Sequence, residues 1–250
     1  MSFYLLLRRH GGTAWFREPE LREMRVPDGC SRFDAVPVQP GAASPDPVLL
    51  RDVAADSDFL PAGDAASLGL DIQCSLTPEG EAERIDLTVA DSTGRDRAVV
   101  VYYRIPVPAG GVEWLADPHR REAAEPGREY LEAARFAAGA NGNLSLYPFA
   151  AVAAGGQGLA LGFDPAYPAF GRLVYNHDTR ELFVACDLGL TPEKPAATLR
   201  FRRFHFAPEW GFRAALAAYM AQFPEAFRSR TPQQVMWMPF AKISAVEGWQ

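Results

Sequence analysis

The tightest constraint on this chain is a series of short segments in which apolar side chains return at every second position. Leu68, Leu70, Ile72, Cys74 and Leu76 form one such series, and Ile85, Leu87 and Val89 form the next. A period of two places alternate side chains on opposite faces of a strand, so each series reads as a strand with one face in a core. Residues 98–105 break the alternation with a continuous apolar and aromatic run containing Val99, Val100 and Val101. That pattern predicts a central strand covered on both faces, stopped by Pro106 and Pro108. Further strands are predicted over 144–152, 158–163, 171–175, 181–188 and 198–206. Asp91-Ser92-Thr93-Gly94, Asn141-Gly142-Asn143 and Asn176-His177-Asp178 supply the turns. Many short strands joined by turns argue a mainly β fold, an antiparallel β-sandwich. There is no fixed-period repeat and no βαβ alternation.

Three local readings carry specific expectations. In residues 198–206, Leu199 and Phe201 point to one face while Phe204 and Phe206 have the opposite phase. One extra residue at Arg202–Arg203 would restore the register, which predicts a β-bulge there. The stretch from Tyr130 to Phe136 is compatible with strand or helix, with local propensity favouring helix. After residue 206 the period changes. Phe212, Ala215, Leu216, Tyr219, Met220 and Phe223 fall on one helical face. Pro208 and Glu209 suit a helix start and Pro224 a stop, so one amphipathic α-helix is expected near the C-terminus, with a shorter one over 224–227.

Residues 26–66 are rich in Pro, Asp, Ala and Gly, with Pro37, Pro40, Pro45 and Pro47 close together. Prolines remove backbone donors, so a long surface loop is expected, with a short strand near 48–50. The resulting organisation has N-terminal strands and a Pro-rich loop over 1–67 and a sandwich core over 68–206. A helix and linker follow over 207–234, and 235–250 read as the start of a further domain.

A chain of 250 residues that is 48% hydrophobic and 22% charged can bury a core. Its net charge of −6 disfavours nucleic acid as a partner, because phosphate binding needs a concentrated positive field. The apolar run at residues 3–7 is too short for a signal-peptide core and precedes its arginines. No stretch has the length of a membrane span, so no membrane partner is expected. Cys30, Cys74 and Cys186 are far apart and fit neither a disulfide framework nor a metal-ligand spacing; they read as core or surface thiols.

The chemical motifs are mostly negative. There is no dinucleotide fingerprint, phosphate-binding loop, zinc-protease helix or nucleophile elbow. His10, His119, His177 and His205 are isolated, so no metal or cofactor is expected. A glycosidase needs two carboxylates on opposite sides of a scissile bond. Asp91, Asp96, Asp117, Asp164, Asp178, Asp187 and Glu209 are available, but no spacing singles out a pair, and turn, cap or solvated roles suit each one. Asp96 and Arg97 enter the most buried strand, where the favoured reading is a charged pair that seats the strand end through hydrogen bonds and the alternative is a ligand clamp. Aromatic rings near element ends can stack on a sugar or close a sandwich core. For Trp210 the core reading is favoured, while Trp114 stays open between core and sugar contact.

The segments DSTGRDRAVVVYYRIPV, NLSLYPFAAV, GLALGFDP, RLVYN, LFVACDLGLTPE and PEWGFRAALAAYMAQFPEAFRSR resemble the N-terminal β-supersandwich of large multidomain glycoside hydrolases. That domain is similar to the galactose-mutarotase fold, and the likeness is to the endo-α-N-acetylgalactosaminidase type and its relatives. It covers about residues 68–250 and is most specific at Asp96 to Ala98 and at Trp210 to Leu216, which includes Arg213 among the structural residues. The resemblance implies a scaffold that packs on a catalytic barrel, with the catalytic acids beyond residue 250 and carbohydrate reached through the parent enzyme. Trp237 is the substrate-contact candidate under that reading. The aromatic run from Val235 to Phe240 would be the entry to the barrel, since a monomer does not normally expose such a patch. Two other readings stay open: a free-standing carbohydrate-binding or mutarotase-like protein, and a structural or interaction domain without sugar contact.

Overall fold

A computed structural model describes residues 31–33, 36–38, 46–53, 55, 57, 59–134, 147–167, 169 and 171–229. The protein is mainly β, an antiparallel β-sandwich with a C-terminal helix. β1 (Ser31–Phe33) and β2 (Val36–Val38) form a two-stranded ribbon. One large sheet contains β3 (Val48–Asp52), β4 (Leu60–Pro61), β7 (Arg97–Pro106), β10 (Glu129–Ala134), β13 (Gly171–Asn176) and β14 (Glu181–Leu190), in the order β10-β13-β14-β7-β3-β4. The other contains β5 (Leu70–Glu79), β6 (Ala82–Asp91), β8 (Val112–Leu115), β9 (Arg121–Ala123), β11 (Phe149–Ala154), β12 (Gln157–Phe163) and β15 (Ala196–Phe206), in the order β5-β6-β15-β12-β11-β8-β9. Each recorded pairing is antiparallel, which hairpins and sheet-to-sheet crossings can both supply.

The inner faces of the two sheets meet in the main core. Val99, Val101, Tyr103 and Ile105 of β7 and Leu173 and Tyr175 of β13 come from one sheet. Ile85, Leu87 and Val89 of β6, Leu161 of β12 and Phe201 of β15 come from the other. β7 lies between β14 and β3, and its outward residues Val100, Tyr102 and Arg104 are buried as well. The continuous apolar run in the sequence therefore corresponds to a strand covered on both faces. β11 and β12 are joined by Gly155-Gly156, both at positive φ, in a two-residue turn whose backbone twist matches the strands it connects.

α1 (Phe212–Gln222) covers part of the outer face of the seven-stranded sheet. Phe212, Ala215 and Tyr219, followed by Phe223, are buried against Phe149, Ala151, Ala160 and Phe204. Met220 lies at the margin of this stripe and is exposed. Gly162 makes the docking possible: a Cβ there would sit 2.8 Å from the Tyr219 ring and 3.0 Å from Phe149 Cβ. The Tyr219 hydroxyl donates to the Phe163 carbonyl at 2.6 Å, fixing helix to strand.

The structure corrects several local expectations. No bulge interrupts β15: its pairing with β6 and with β12 advances one residue for one throughout. Leu199 and Phe201 face the sandwich core, whereas Phe204 lies on the opposite face under α1. The phase change therefore marks a change in which face is covered, not a slip in register. β10 is a strand where local propensity favoured helix. It pairs along its length with β13, and the Tyr130 ring packs between Trp114 and Tyr175 at 5.9 and 6.3 Å. Pro208–Trp210 is a separate 3₁₀ turn, and α1 begins only after Gly211. Residues 224–226 form a turn instead of a second helix. The short strand expected near 48–50 is β3, but it does not cross the surface, because Val48, Leu49 and Leu50 are fully or nearly fully buried beside β7.

Candidate functional site

Of the two residues expected to seat the start of β7, Arg97 does so and Asp96 does not. Asp96 is exposed on the turn. The Arg97 side chain is 5% exposed; its Nε donates to Asp52 Oδ2 at 2.8 Å, Nη1 to Asp91 Oδ1 at 2.7 Å and Nη2 to the Leu68 carbonyl at 2.8 Å. The partners of the cation come from β3, from the end of β6 and from the 3₁₀ turn before β5. Asp91 also accepts from the Thr93 hydroxyl and from the Thr93, Gly94 and Arg95 amides. Desolvation raises the Asp91 carboxyl, but the Thr93 hydroxyl, the Arg95 and Gly94 amides and Arg97 together outweigh it and hold it at about 2.

The tryptophans fall differently from expectation. Trp114 is 3% exposed on the inner face of β8, in register with Val152 and against Tyr130. It belongs to the core, so it cannot stack on a sugar arriving from solvent. Trp210 is 75% exposed and does not close the core. It precedes Gly211, whose φ of +54° turns the chain before the buried helical stripe begins. Arg213 is exposed one position beyond the buried Phe212, with no ion pair among the described residues. Trp237 lies outside the described residues.

Most carboxylates have defined structural tasks. Asp187 receives two hydrogen bonds from Arg172, both at 2.6 Å, and Asp117 caps the amides of His119 and Arg120. Asp164 caps Ala166, and Asp178 accepts from the Gly127 amide. Across the outer face of the seven-stranded sheet, Asp86 lies between Arg84 and Arg200, at 2.8 and 2.5 Å. Arg200 in turn lies 3.9 Å from the centre of the half-exposed Tyr167 ring.

Concavities lined by described residues include a smaller and a larger one. The smaller, about 140 Å³, lies between Ile105, Pro106 and Pro108 of the β7 end and Gln157, Leu159 and Arg203. The larger, about 500 Å³, lies between the last turns of α1 and the β5–β6 hairpin. Its floor is Ala82, Arg202 and Phe204; one wall is Glu79, Gly80 and Glu81, and the other is Ala218, Ala221 and Gln222. Glu79 is bridged by Arg84 on one oxygen and Arg202 on the other. The Arg202 guanidinium also stacks 4.7 Å from the centre of the Phe223 ring. The Gln222 amide donates to the Ala218 carbonyl at 3.0 Å. Neither Gln222 Oε1 nor Arg202 Nε has a hydrogen-bond partner among the described residues.

Sequence reasoning missed this cleft because its polar groups are far apart in the chain. The one visible signal is the Arg200-Phe201-Arg202 alternation, which places two cations on the outer face of β15. Among the described residues no group of histidine, cysteine and carboxylate side chains has the arrangement of a metal site, and no helix is long and apolar enough to cross a membrane.

No protein-family model matches this chain, and no curated protein matches it. Among solved structures it is similar to the Slr1438 protein of Synechocystis sp. PCC 6803, at 9% identity and a TM-score of 0.33. The alignment covers 55% of this chain and 55% of that one, so the chain spans about half the length of the structure it matches.

Proposed function

We propose that this chain is a non-catalytic sandwich domain of a carbohydrate-active glycoside hydrolase, packing on and scaffolding its catalytic domain. The observation that carries this reading is the commitment of most described carboxylates to ion pairs and turn caps. The larger cleft illustrates it. Its two carboxylates, Glu79 and Glu81, come from one hairpin wall, and Glu79 is bridged by two guanidinium groups. A glycosidase pair must flank the scissile bond from opposite sides, whereas the facing wall here is Ala218, Ala221 and Gln222. The sequence resemblance supplies the identity of the parent enzyme; the mainly β architecture with a docked C-terminal helix is compatible with it.

The test is the reading frame at the native locus, continued past codon 250. The reading expects a barrel domain there, and release of nitrophenol from nitrophenyl glycosides by the full product but not by this chain. Hydrolysis by the 250-residue chain, or a stop codon with no adjacent barrel gene, overturns it. The cleft favours a second reading, a free-standing carbohydrate-binding or mutarotase-like protein, because it offers His205 together with Glu79. Polarimetric acceleration of galactose mutarotation would promote that reading over the first.

A further inference from the structure

We infer that the cleft between α1 and the β5–β6 hairpin is a binding site for a neutral polyhydroxylated ligand of mono- to disaccharide size. The inference rests on the carbohydrate reading above and gives it a location. Size is the first observation: about 500 Å³ falls within the roughly 300–1,000 Å³ of small-molecule sites. Charge is the second. Glu79 and Glu81 line the cleft together with Arg202, and the Glu79 carboxylate is already bridged by Arg202 and, from outside the lining, by Arg84. An anionic ligand would meet Glu79 and Glu81, and a cationic one the Arg202 guanidinium. A hydroxyl group avoids both penalties, because it can donate to a carboxylate oxygen and accept from a guanidinium at once.

The unused hydrogen-bonding capacity is the third observation. Glu79 uses one position on each oxygen, and an ionised carboxylate has about four acceptor sites. Arg202 Nε is a donor and Gln222 Oε1 an acceptor, each buried and each without a partner among the described residues. A ligand hydroxyl in the cleft would take up the spare acceptor positions of Glu79. Beside His205, the lining residues Ala82, Phe204, Ala218 and Ala221 are apolar and suit the C–H face of a pyranose ring. On the same face of β15, Arg200 and the half-exposed Tyr167 extend the polar strip beyond the cleft.

The test uses the whole chain on an array of neutral mono- to tetrasaccharides, each also present in sulfated or sialylated form. Isothermal titration then measures the best neutral sugar. Binding of a neutral sugar, at least tenfold weaker when that sugar is sulfated, is the expected result. Ala221→Trp fills the cleft from an exposed helix position, and Gln222→Leu replaces a polar side chain of the helix wall with an apolar one; each should weaken binding at least tenfold with an unchanged melting temperature. If one variant does not fold, the other decides. Two results overturn the inference: no neutral sugar bound at millimolar concentration, or binding indifferent to both substitutions. The second outcome would leave the carbohydrate reading in place with its site elsewhere. Loss of the barrel in the reading-frame experiment would sink the scaffold reading without touching a measured cleft affinity.

Discussion

Arg97 holds three separate parts of the chain through one guanidinium, and Asp91 is the partner whose titration reports on that junction. The Asp91 carboxyl is held at about 2, below its ordinary 3.8. A carboxyl lowered on folding contributes stability that is fully present above its unfolded value and is lost as pH falls through the folded one. The contribution of Asp91 is therefore expected to disappear between about pH 4 and pH 2. Asp91→Asn should lower the denaturation midpoint at pH 6 and flatten the acid limb in that window, as read by urea titrations at a series of pH values. An acid limb identical to that of the unsubstituted protein would mean that the junction does not depend on the charge. At this scale the sequence was only partly legible. A charged pair at the β7 entry could be read from Asp96 and Arg97, but the acids that pair with Arg97 lie 45 and 6 residues away from it. Likewise, nothing within a strand separates a core tryptophan such as Trp114 from a surface one. What separates them is the sheet opposite, contributed by β10 and β13.

The element that depends most on a single position is α1. Its stripe of Phe212, Ala215, Tyr219 and Phe223 could be recognised from a 3.6-residue period, but the surface that receives it could not. That surface needs Gly162, where the Tyr219 ring approaches the β12 backbone. Gly162→Ala is expected to destabilise the protein by about 1–3 kcal/mol, because the added methyl must displace an aromatic ring already fixed by its hydroxyl. The measurement is a shift in the urea midpoint at unchanged m. A neutral substitution would show that α1 can ride outward without loss. β15 teaches a related lesson. A strand that passes from one partly covered face to another shows a break in hydrophobic phase identical, in sequence, to that of a bulge. The pairings with β6 and β12 are regular, and the helix over Phe204 supplies the reason. β10 shows how tertiary context overrides propensity: six consecutive backbone pairs with β13, and a core place for Tyr130, decide against helix.

For the whole molecule, the informative feature is that the six-stranded sheet draws strands from both sides of residue 68. β3 pairs with β7 over five residues, and Val48 and Leu50 enter the core shared by both sheets. A chain beginning at residue 68 would leave the β7 edge unpaired and remove Asp52 from Arg97. It is expected to lose cooperative unfolding, visible as a broadened thermal transition and increased dye binding to exposed apolar surface. A sharp transition would instead place a true domain boundary there. The sequence by itself determined the strand and helix periods, the turns at 91–94 and 176–178 and so the sandwich class (the turn expected at 141–143 lies outside the described residues), because these are local: a period of two or 3.6 is imposed by backbone geometry within a few residues. Only the tertiary structure decided that β3 is core, that β15 is unbroken, that Trp114 is buried and Trp210 exposed, and that a cleft lies beside α1. Each of these depends on which distant strand or helix covers a given face, and coverage is set by packing between segments tens of residues apart, which no local period encodes.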